Sequence, residues 1–191
     1  MKGFLFFVTL CVISLGLVNC NRLIDSKRIS SKYDSLVLDV RFGMERKEFF
    51  DYCWEMNRQK ILTHGPTNQN VEYEFQGVKD KIIMRFYPSF YEERVYELPV
   101  TYTYQAWAPW NKEYDSEHLL VEILDLYKRV YGNDFKSIVH PTMGEVFYKF
   151  DKYRRINIFL RDEQFVQVVF SDMRVLKQLK KEYESEVIDL E

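Results

Sequence analysis

The sequence predicts an α+β protein of two tandem units. Each unit is a helix followed by a three-stranded antiparallel meander, and the two share a helix-on-sheet core followed by a C-terminal helix. The main observation is that helical and strand-like hydrophobic spacing alternate twice along the chain in the same order. A core of ordinary size is available, because hydrophobic residues make up 47% of the 191 residues and aromatic residues 17%. The chain has only 7 Gly and 5 Pro, which argues against a loop-dominated fold.

The first nineteen residues have the pattern of an export signal. Lys2 provides a short positive region, and residues 4–18 carry no charge. That uncharged length is typical of a signal peptide and short of the roughly 20 residues that a membrane-spanning helix needs. We therefore predict a signal peptide at 1–19 and a tether at 20–35, since the segment from Asn21 to Asp34 is polar and without period.

The signal ends in the sequence LVNC, residues 17–20. This boundary resembles the lipobox of bacterial lipoproteins, in which an apolar residue three places before a cysteine is followed by small residues. The resemblance implies cleavage before Cys20 and acylation of its thiol and new amino group; Asn19 stands where Gly, Ala or Ser is usual. The alternative is ordinary cleavage after Gly16, with Cys20 left as a free thiol.

The cysteine content agrees with a lipid anchor. The three cysteines are Cys11, Cys20 and Cys53; the first lies in the signal and the second would be acylated. Cys53 then has no disulfide partner, and we expect it to be buried on an apolar helix face. The remaining chain is mildly acidic, so membrane attachment would come from the acyl chains.

The first unit is predicted at 36–110. It opens with a strand-like alternation over 36–42, closed by Gly43. A helix follows, whose apolar stripe comprises Phe49, Phe50, Cys53, Trp54 and Met56. Three strands are predicted at 71–75, 81–86 and 95–104. Pro99 cannot donate to a sheet ladder, so the third strand is expected at an edge or with a bulge.

The second unit, with the C-terminal helix, is predicted at 111–191. Asp115 or Ser116 caps its helix, which Gly132 ends. The apolar stripe of this helix comprises Leu119, Leu120, Ile123, Leu124, Tyr127 and Val130. Strands follow at 145–150, 155–160 and 165–170, and the last helix starts after Ser171 or Asp172.

The strands of the two units match at a constant offset of 75 residues. Val71, Tyr73 and Phe75 correspond in this way to Val146, Tyr148 and Phe150. We interpret the repeat as a duplicated α+β module, although a helix followed by a meander is common enough to recur by chance.

The start of the first helix suggests a family resemblance. The sequence Phe42-Gly43-Met44-Glu45, followed by Phe49 and Phe50, is similar to the Gly-Met helix start of the β-lactamase-inhibitor-like architecture and of the small lipoprotein of the outer-membrane β-barrel assembly machinery. The resemblance covers residues 36–104 and identifies no binding residue. It implies a binding or scaffolding role rather than catalysis.

No motif for catalysis, metal or cofactor binding is present in the sequence. It has no Gly-x-Ser-x-Gly, no phosphate-binding glycine loop and no paired-cysteine spacing. His64, His118 and His140 are interpreted as turn or helix-end residues. We therefore predict no catalytic residue, no metal site and no cofactor. The balance of 29 acidic and 27 basic residues argues against nucleic acid as a partner.

One stretch, 101–114, is a candidate ligand or partner patch. Its aromatic residues are Tyr102, Tyr104, Trp107, Trp110 and Tyr114. Such residues can stack on sugar rings or contact a protein. The alternative is that they plug the seam between the two units, and burial distinguishes the two.

The leading hypothesis is a non-enzymatic, lipid-anchored cell-envelope protein that acts as a binding or assembly module. It would sit on the periplasmic or surface face of an outer membrane, with an envelope protein or glycan as partner. Two alternatives stay open: an envelope hydrolase acting on glycan or peptide, and a secreted inhibitor that blocks another enzyme with its sheet.

Overall fold

The computed structural model describes residues 31–66 and 70–188. These residues form an antiparallel sheet with three α-helices, which confirms the α+β class and the C-terminal helix. The predicted signal peptide, most of the tether and the proposed lipid-attachment residue Cys20 lie outside the described residues.

The helices are α1 (Arg46–Arg58), α2 (Ser116–Tyr131) and α3 (Met173–Ile188), and a short 3-10 helix covers Lys112–Tyr114. The strands, in chain order, are β1 (Thr63–His64), β2 (Val71–Gln76), β3 (Lys81–Phe86), β4 (Ser89–Tyr91), β5 (Arg94–Tyr104), β6 (Lys136–His140), β7 (Gly144–Asp151), β8 (Arg154–Leu160) and β9 (Val166–Asp172). Six of the seven predicted strands agree within two residues at each end, and β1, β4 and β6 were not predicted.

All nine strands belong to one sheet with the order β1-β2-β3-β5-β9-β8-β7-β6, and β4 pairs with β5. The middle of the sheet is the antiparallel pair of β5 and β9, which runs from Glu97 opposite Ser171 to Tyr102 opposite Val166. The strands that follow α1 and those that follow α2 therefore form one continuous sheet.

Helices α1 and α2 cover the same face of this sheet. Phe49 of α1 packs on Phe86, and Tyr127 of α2 packs on Tyr102 and Phe170. The three sheet residues share a face. Phe86 pairs with Val100 of β5 and Phe170 pairs with Leu98 of β5, which lie two and four residues before Tyr102, and every second side chain of a strand points to the same face. One hydrophobic core, with buried side chains from both halves of the chain, lies between the helices and the sheet.

Residues 36–42 form a tight turn instead of the predicted strand. Leu38 and Asp39 both have positive φ, 49° and 62°, and the amide of Leu36 donates to the carbonyl oxygen of Val40 at 2.9 Å. The alternating apolar residues Leu36, Val40 and Phe42 are still buried in the core, but they reach it from a chain that folds back on itself.

Pro99 lies in an interior strand rather than at an edge, and the β4–β5 ladder beside it shifts register between Ser89 and Phe90, as the alternative prediction of a bulge requires. It pairs with Val169 of β9 on one side. On the other side, β3 pairs with β5 only from Val100 onward, and β4 only up to Glu97. Pro99 falls in the interval between these two ladders, so its missing N–H removes no bond from either.

The predicted apolar stripe of α1 is only half buried. Phe49 is fully buried, and Cys53 and Met56 pack partly against the core. Phe50 and Trp54, however, are 47% and 64% exposed. The predicted caps of the other helices are present: the Asp115 carboxylate accepts the amide of His118 at 3.1 Å, and the Asp172 carboxylate accepts the amide of Arg174 at 2.9 Å.

The 75-residue correspondence joins residues on opposite faces of the sheet. Tyr73 lies opposite Met84 and packs against the core, whereas Tyr148 lies opposite Asn157, outside the core cluster. In β7 it is Phe147 that faces the core. A shift of one residue along a strand reverses every side chain, so the sequence offset does not reproduce the structural equivalence.

Candidate functional site

Two members of the predicted aromatic patch belong to the core. Tyr102 and Tyr104 are both 2% exposed. The Tyr102 hydroxyl bonds to the Tyr127 hydroxyl at 2.8 Å, and the Tyr104 hydroxyl donates to Glu122 Oε2 at 2.9 Å. Burial raises the pKa of both tyrosines, Tyr102 and Tyr104, so both hydroxyls keep their protons. Neither ring can contact a partner at the surface.

The other three members lie progressively further out. Tyr114 is half-buried and packs edge-on against Tyr104, with 5.6 Å between ring centroids. Trp107 packs partly on the core, and its indole N–H donates to the carbonyl oxygen of Glu163 at 3.3 Å. Trp110 is 84% exposed. The predicted patch is thus divided between core and surface, and Trp110 is its fully exposed member.

The loop that carries these tryptophans is docked on the β8–β9 turn. The Ser116 hydroxyl donates to the carbonyl oxygen of Asp162 at 2.6 Å, and Lys112 approaches Glu163 at 3.5 Å. Burial would raise the pKa of Asp162, but the amides of Gln164 and Phe165 donate to its carboxylate and hold that pKa below its usual value. This carboxylate is therefore a turn cap.

Two open depressions of about 370 Å³ and 310 Å³ occur on the described surface. The larger lies beside the β8–β9 turn, and the smaller lies between the start of α1 and the β4–β5 turn. The smaller is lined by ion pairs, including Arg46 with Glu93 at 2.7 Å and Arg94 with Glu45 at 2.9 Å. These charges compensate one another, so the depression offers no net charge for a ligand.

The pKa shifts of three titratable side chains, Asp115, Asp134 and Cys53, follow from burial or from neighbouring hydrogen bonds. Burial alone would raise the pKa of Asp115, but the hydrogen bonds from His118 outweigh burial, so the pKa of Asp115 lies below its usual value. The bond from Lys149 lowers the pKa of Asp134, and burial raises the pKa of Cys53 to about 12. Among residues 31–66 and 70–188, no three His, Cys, Asp or Glu side chains are grouped to hold a metal ion.

The sheet face opposite α1 and α2, here called the outer face, carries an apolar corner. The corner is formed by five side chains of β6, β7 and β8: Ile138, Val146, Tyr148, Phe150 and Phe159. The register places them on one face, because Ile138 lies opposite Val146, which lies opposite Phe159. Phe150 is 54% exposed and Ile138 58% exposed. Tyr148 and Phe150 pack edge-on at 5.9 Å.

The rest of the outer face is mixed, because the half-buried side chains of Ile83, Pro99 and Val169 share it with polar and charged ones. At its far side, Arg85 pairs with Glu72 at 2.7 Å and Lys81 with Glu74 at 3.2 Å. In the middle, the Ser171 hydroxyl donates to Glu97 at 3.0 Å. The apolar corner is therefore a local feature and not the composition of the whole face.

Sequence reasoning did not single out the apolar corner. It paired Tyr148 and Phe150 with Tyr73 and Phe75, and the latter two face the core. The residue alternation in β7 could have predicted the corner. Phe147 and Lys149 lie on one face of this strand, and Tyr148 and Phe150 lie on the other, so large side chains occupy both faces.

Comparison with known proteins gives no relatives: no protein-family model, no curated protein and no solved structure matches the chain. Among the described residues, none of the helices has the length and apolar character needed to cross a bilayer.

Proposed function

We propose that the protein is a lipid-anchored cell-envelope protein of the outer membrane that works as a binding or assembly module. Its partner, an envelope protein, contacts the apolar corner of the outer face. The observation that carries this proposal is the exposure of Phe150 and Ile138 at one corner of the outer face, on either side of the buried Val146 and the half-buried Tyr148. Contiguous exposed apolar side chains on a soluble domain mark interaction sites, and aromatic anchors supply much of the energy of protein interfaces.

The composition around the corner supports a protein partner. Lys136 lies opposite Tyr148, and Arg155 lies opposite Phe150, so basic side chains border the aromatic ones. An apolar centre with a charged rim is the usual composition of a protein interface. The same aromatic chemistry would also stack on a glycan ring, and Trp110 offers a second exposed indole for that purpose.

The proposal of a lipid anchor rests on the sequence at Cys20. The folded body begins close after it, since Asp34 already accepts a hydrogen bond from the Tyr153 hydroxyl at 2.8 Å. A chain from Cys20 to Ser31 spans at most about 40 Å, at roughly 3.5 Å per residue. Acylation would therefore hold the body within that distance of the membrane surface.

We also propose that the two halves arose as tandem α+β units. The support is the strand order, which is symmetric about the β5–β9 pair: β1-β2-β3-β5 follows α1, and β6-β7-β8-β9 follows α2. The first unit then has one helix and five strands, of which β4 pairs only with β5, and the second has one helix and four strands before α3, rather than the three strands expected in each. The support comes from this order and not from the 75-residue offset.

The described residues offer no specific support for the hydrolase alternative. The aspartates with shifted pKa, which are Asp115, Asp134 and Asp162, all shift downward. A general acid at neutral pH needs a raised pKa instead. The inhibitor alternative differs from our proposal in two respects: the protein would be secreted rather than anchored, and its partner would be an enzyme bound at its sheet.

The anchor is tested by growing cells that express the full chain with an alkyne fatty acid and measuring label on the purified protein. We expect label on the wild type and none on Cys20→Ser. Cys11→Ser and Cys53→Ala are matched controls and keep the label, because neither cysteine is acylated in our proposal. Equal labelling of Cys20→Ser and wild type would overturn the anchor.

The partner surface is tested by placing the photo-crosslinker p-benzoylphenylalanine at position 150 of the full chain in intact cells. We expect a discrete crosslinked protein adduct after irradiation. The matched control is position 183 on α3, because Tyr183 is also an exposed aromatic residue, at 69%. Absence of an adduct from position 150, or the same adduct from both positions, would contradict a partner at the apolar corner.

A further inference from the structure

Helix α1 carries two aromatic side chains that the fold does not bury. Phe50 and Trp54 are four residues apart, so they lie one turn apart on the same side of the helix. With exposures of 47% and 64%, they form what we call the α1 ridge. Two exposed aromatic rings one turn apart on a helix form an apolar strip that the chain itself leaves uncovered, and such a strip points to a contact outside the chain.

The ridge sits on a firmly held helix. On its buried side, Phe49 packs edge-on against Phe86, Tyr87 and Phe90, with centroids 6.5, 6.0 and 6.1 Å away. At the N-terminus of α1, Glu45 bridges to Arg94 at the start of β5. The ridge is therefore presented in a fixed orientation instead of on a mobile loop.

Cations flank the ridge at both ends. The Arg58 guanidinium lies 5.0 Å from the centroid of the Trp54 ring, and the Lys47 ammonium lies 2.6 Å from Asp51. Arg58 also approaches Glu55 at 3.7 Å, so the acidic residues beside the ridge are compensated. An indole and a phenyl ring bordered by long basic side chains are typical of residues at a membrane–water interface.

We propose that the α1 ridge contacts the interfacial region of the lipid bilayer in which the protein is anchored. This inference rests on the proposed lipid anchor: acyl chains at Cys20 and a tether of at most about 40 Å keep α1 at high effective concentration beside the membrane. The contact is apolar, so zwitterionic lipid is sufficient for it.

A lipid surface fits the ridge better than a protein partner for a geometric reason. The ridge is a convex line of two rings on one helix, whereas protein hot spots lie in a packed patch with a surrounding rim. The contact is also compatible with the proposed partner site. Because α1 covers the sheet face opposite the outer face, the apolar corner stays free when the ridge meets the membrane.

The test uses the full-length protein, purified from membranes and reconstituted into phosphatidylcholine vesicles with bromine atoms near the headgroup end of the acyl chains. Trp107→Phe with Trp110→Phe leaves Trp54 as the reporter. We expect about half of its emission to be quenched, since an interfacial helix buries its apolar side by about 5–10 Å. The matched control, Trp54→Phe with Trp107→Phe, leaves Trp110 as the reporter. The start of α1 bridges to the first residue of β5, whereas Trp110 follows the last residue of β5, so we expect the emission of Trp110 to stay unchanged.

The mass of each purified protein separates the two proposals. If the protein carries acyl chains but Trp54 is not quenched, or if Trp110 is quenched equally, the ridge proposal is wrong and the anchor stands. If the protein lacks acyl chains and Trp54 is still quenched after mixing with vesicles, the ridge proposal stands and the anchor is wrong. Loss of both the acyl mass and the quenching would overturn both.

Discussion

Two buried tyrosines, Tyr102 and Tyr127, join a sheet strand to a helix through a single hydroxyl pair. Their rings meet edge-on at 6.3 Å, and their hydroxyl oxygens lie 2.8 Å apart in the core. A buried polar group is costly unless it is bonded, so each hydroxyl depends on the other. Burial raises the pKa of both, which keeps them neutral and able to share the bond at ordinary pH.

We predict that Tyr127→Phe lowers the free energy of unfolding by about 1–3 kcal/mol, because it leaves the Tyr102 hydroxyl buried without its bonded partner. Tyr102→Phe should cost a similar amount. The double variant should be more stable than the sum of the two losses predicts, since it removes both polar groups together. Urea unfolding measures all three, and Tyr183→Phe at the exposed position is the control. Strict additivity would contradict the prediction.

At the scale of elements, hydrophobic spacing predicted long strands and helices well and short or folded-back segments poorly. The six predicted strands that the structure contains each show apolar residues at every second position over five or more residues. Strands β1 and β4 have two and three residues, too few to show a period. Residues 36–42 have the strand period, but their buried side chains meet the core through a turn, which periodicity cannot distinguish.

The same limit applies to the candidate sites. Sequence reasoning found the aromatic density at 101–114, but not that Tyr102 and Tyr104 would be buried, since this depends on β5 being central in the sheet. It assigned Phe50 and Trp54 to a buried stripe of α1, but both side chains are exposed in the fold. Exposure of an apolar residue is a property of the tertiary packing, so local spacing alone does not predict it.

Substitutions at Asp39 distinguish the observed turn at 36–42 from the strand expected there. Asp39 has φ of 62°, a region in which β-branched residues are strongly disfavoured. We predict that Asp39→Val lowers the free energy of unfolding by about 1–2 kcal/mol. The control Asp39→Gly should be neutral or stabilising, because glycine adopts this φ freely. If the segment were a strand, valine would be the better residue and the order of the two variants would reverse.

At the scale of the whole molecule, the β5–β9 pair joins the two halves into one core. Val100 and Val168 lie opposite each other in this pair and are both fully buried. The core cluster includes Phe49 from the first half and Ile158 from the second. The predicted boundary between the two units, near residue 110, therefore divides the sequence into two segments that share one hydrophobic core.

This shared core predicts that both halves unfold in one cooperative transition. Ile158 is fully buried in β8, and Ile158→Ala should lower the free energy of unfolding by about 2–5 kcal/mol. Hydrogen exchange measures the effect in each half, through the slowest amides of β2–β3 and of β7–β8. We expect an equal loss of protection in both, because both exchange through global unfolding. Val139→Ala, at an exposed position on β6, is the control and leaves protection unchanged. A loss confined to β7–β8 would show that the halves are independent domains.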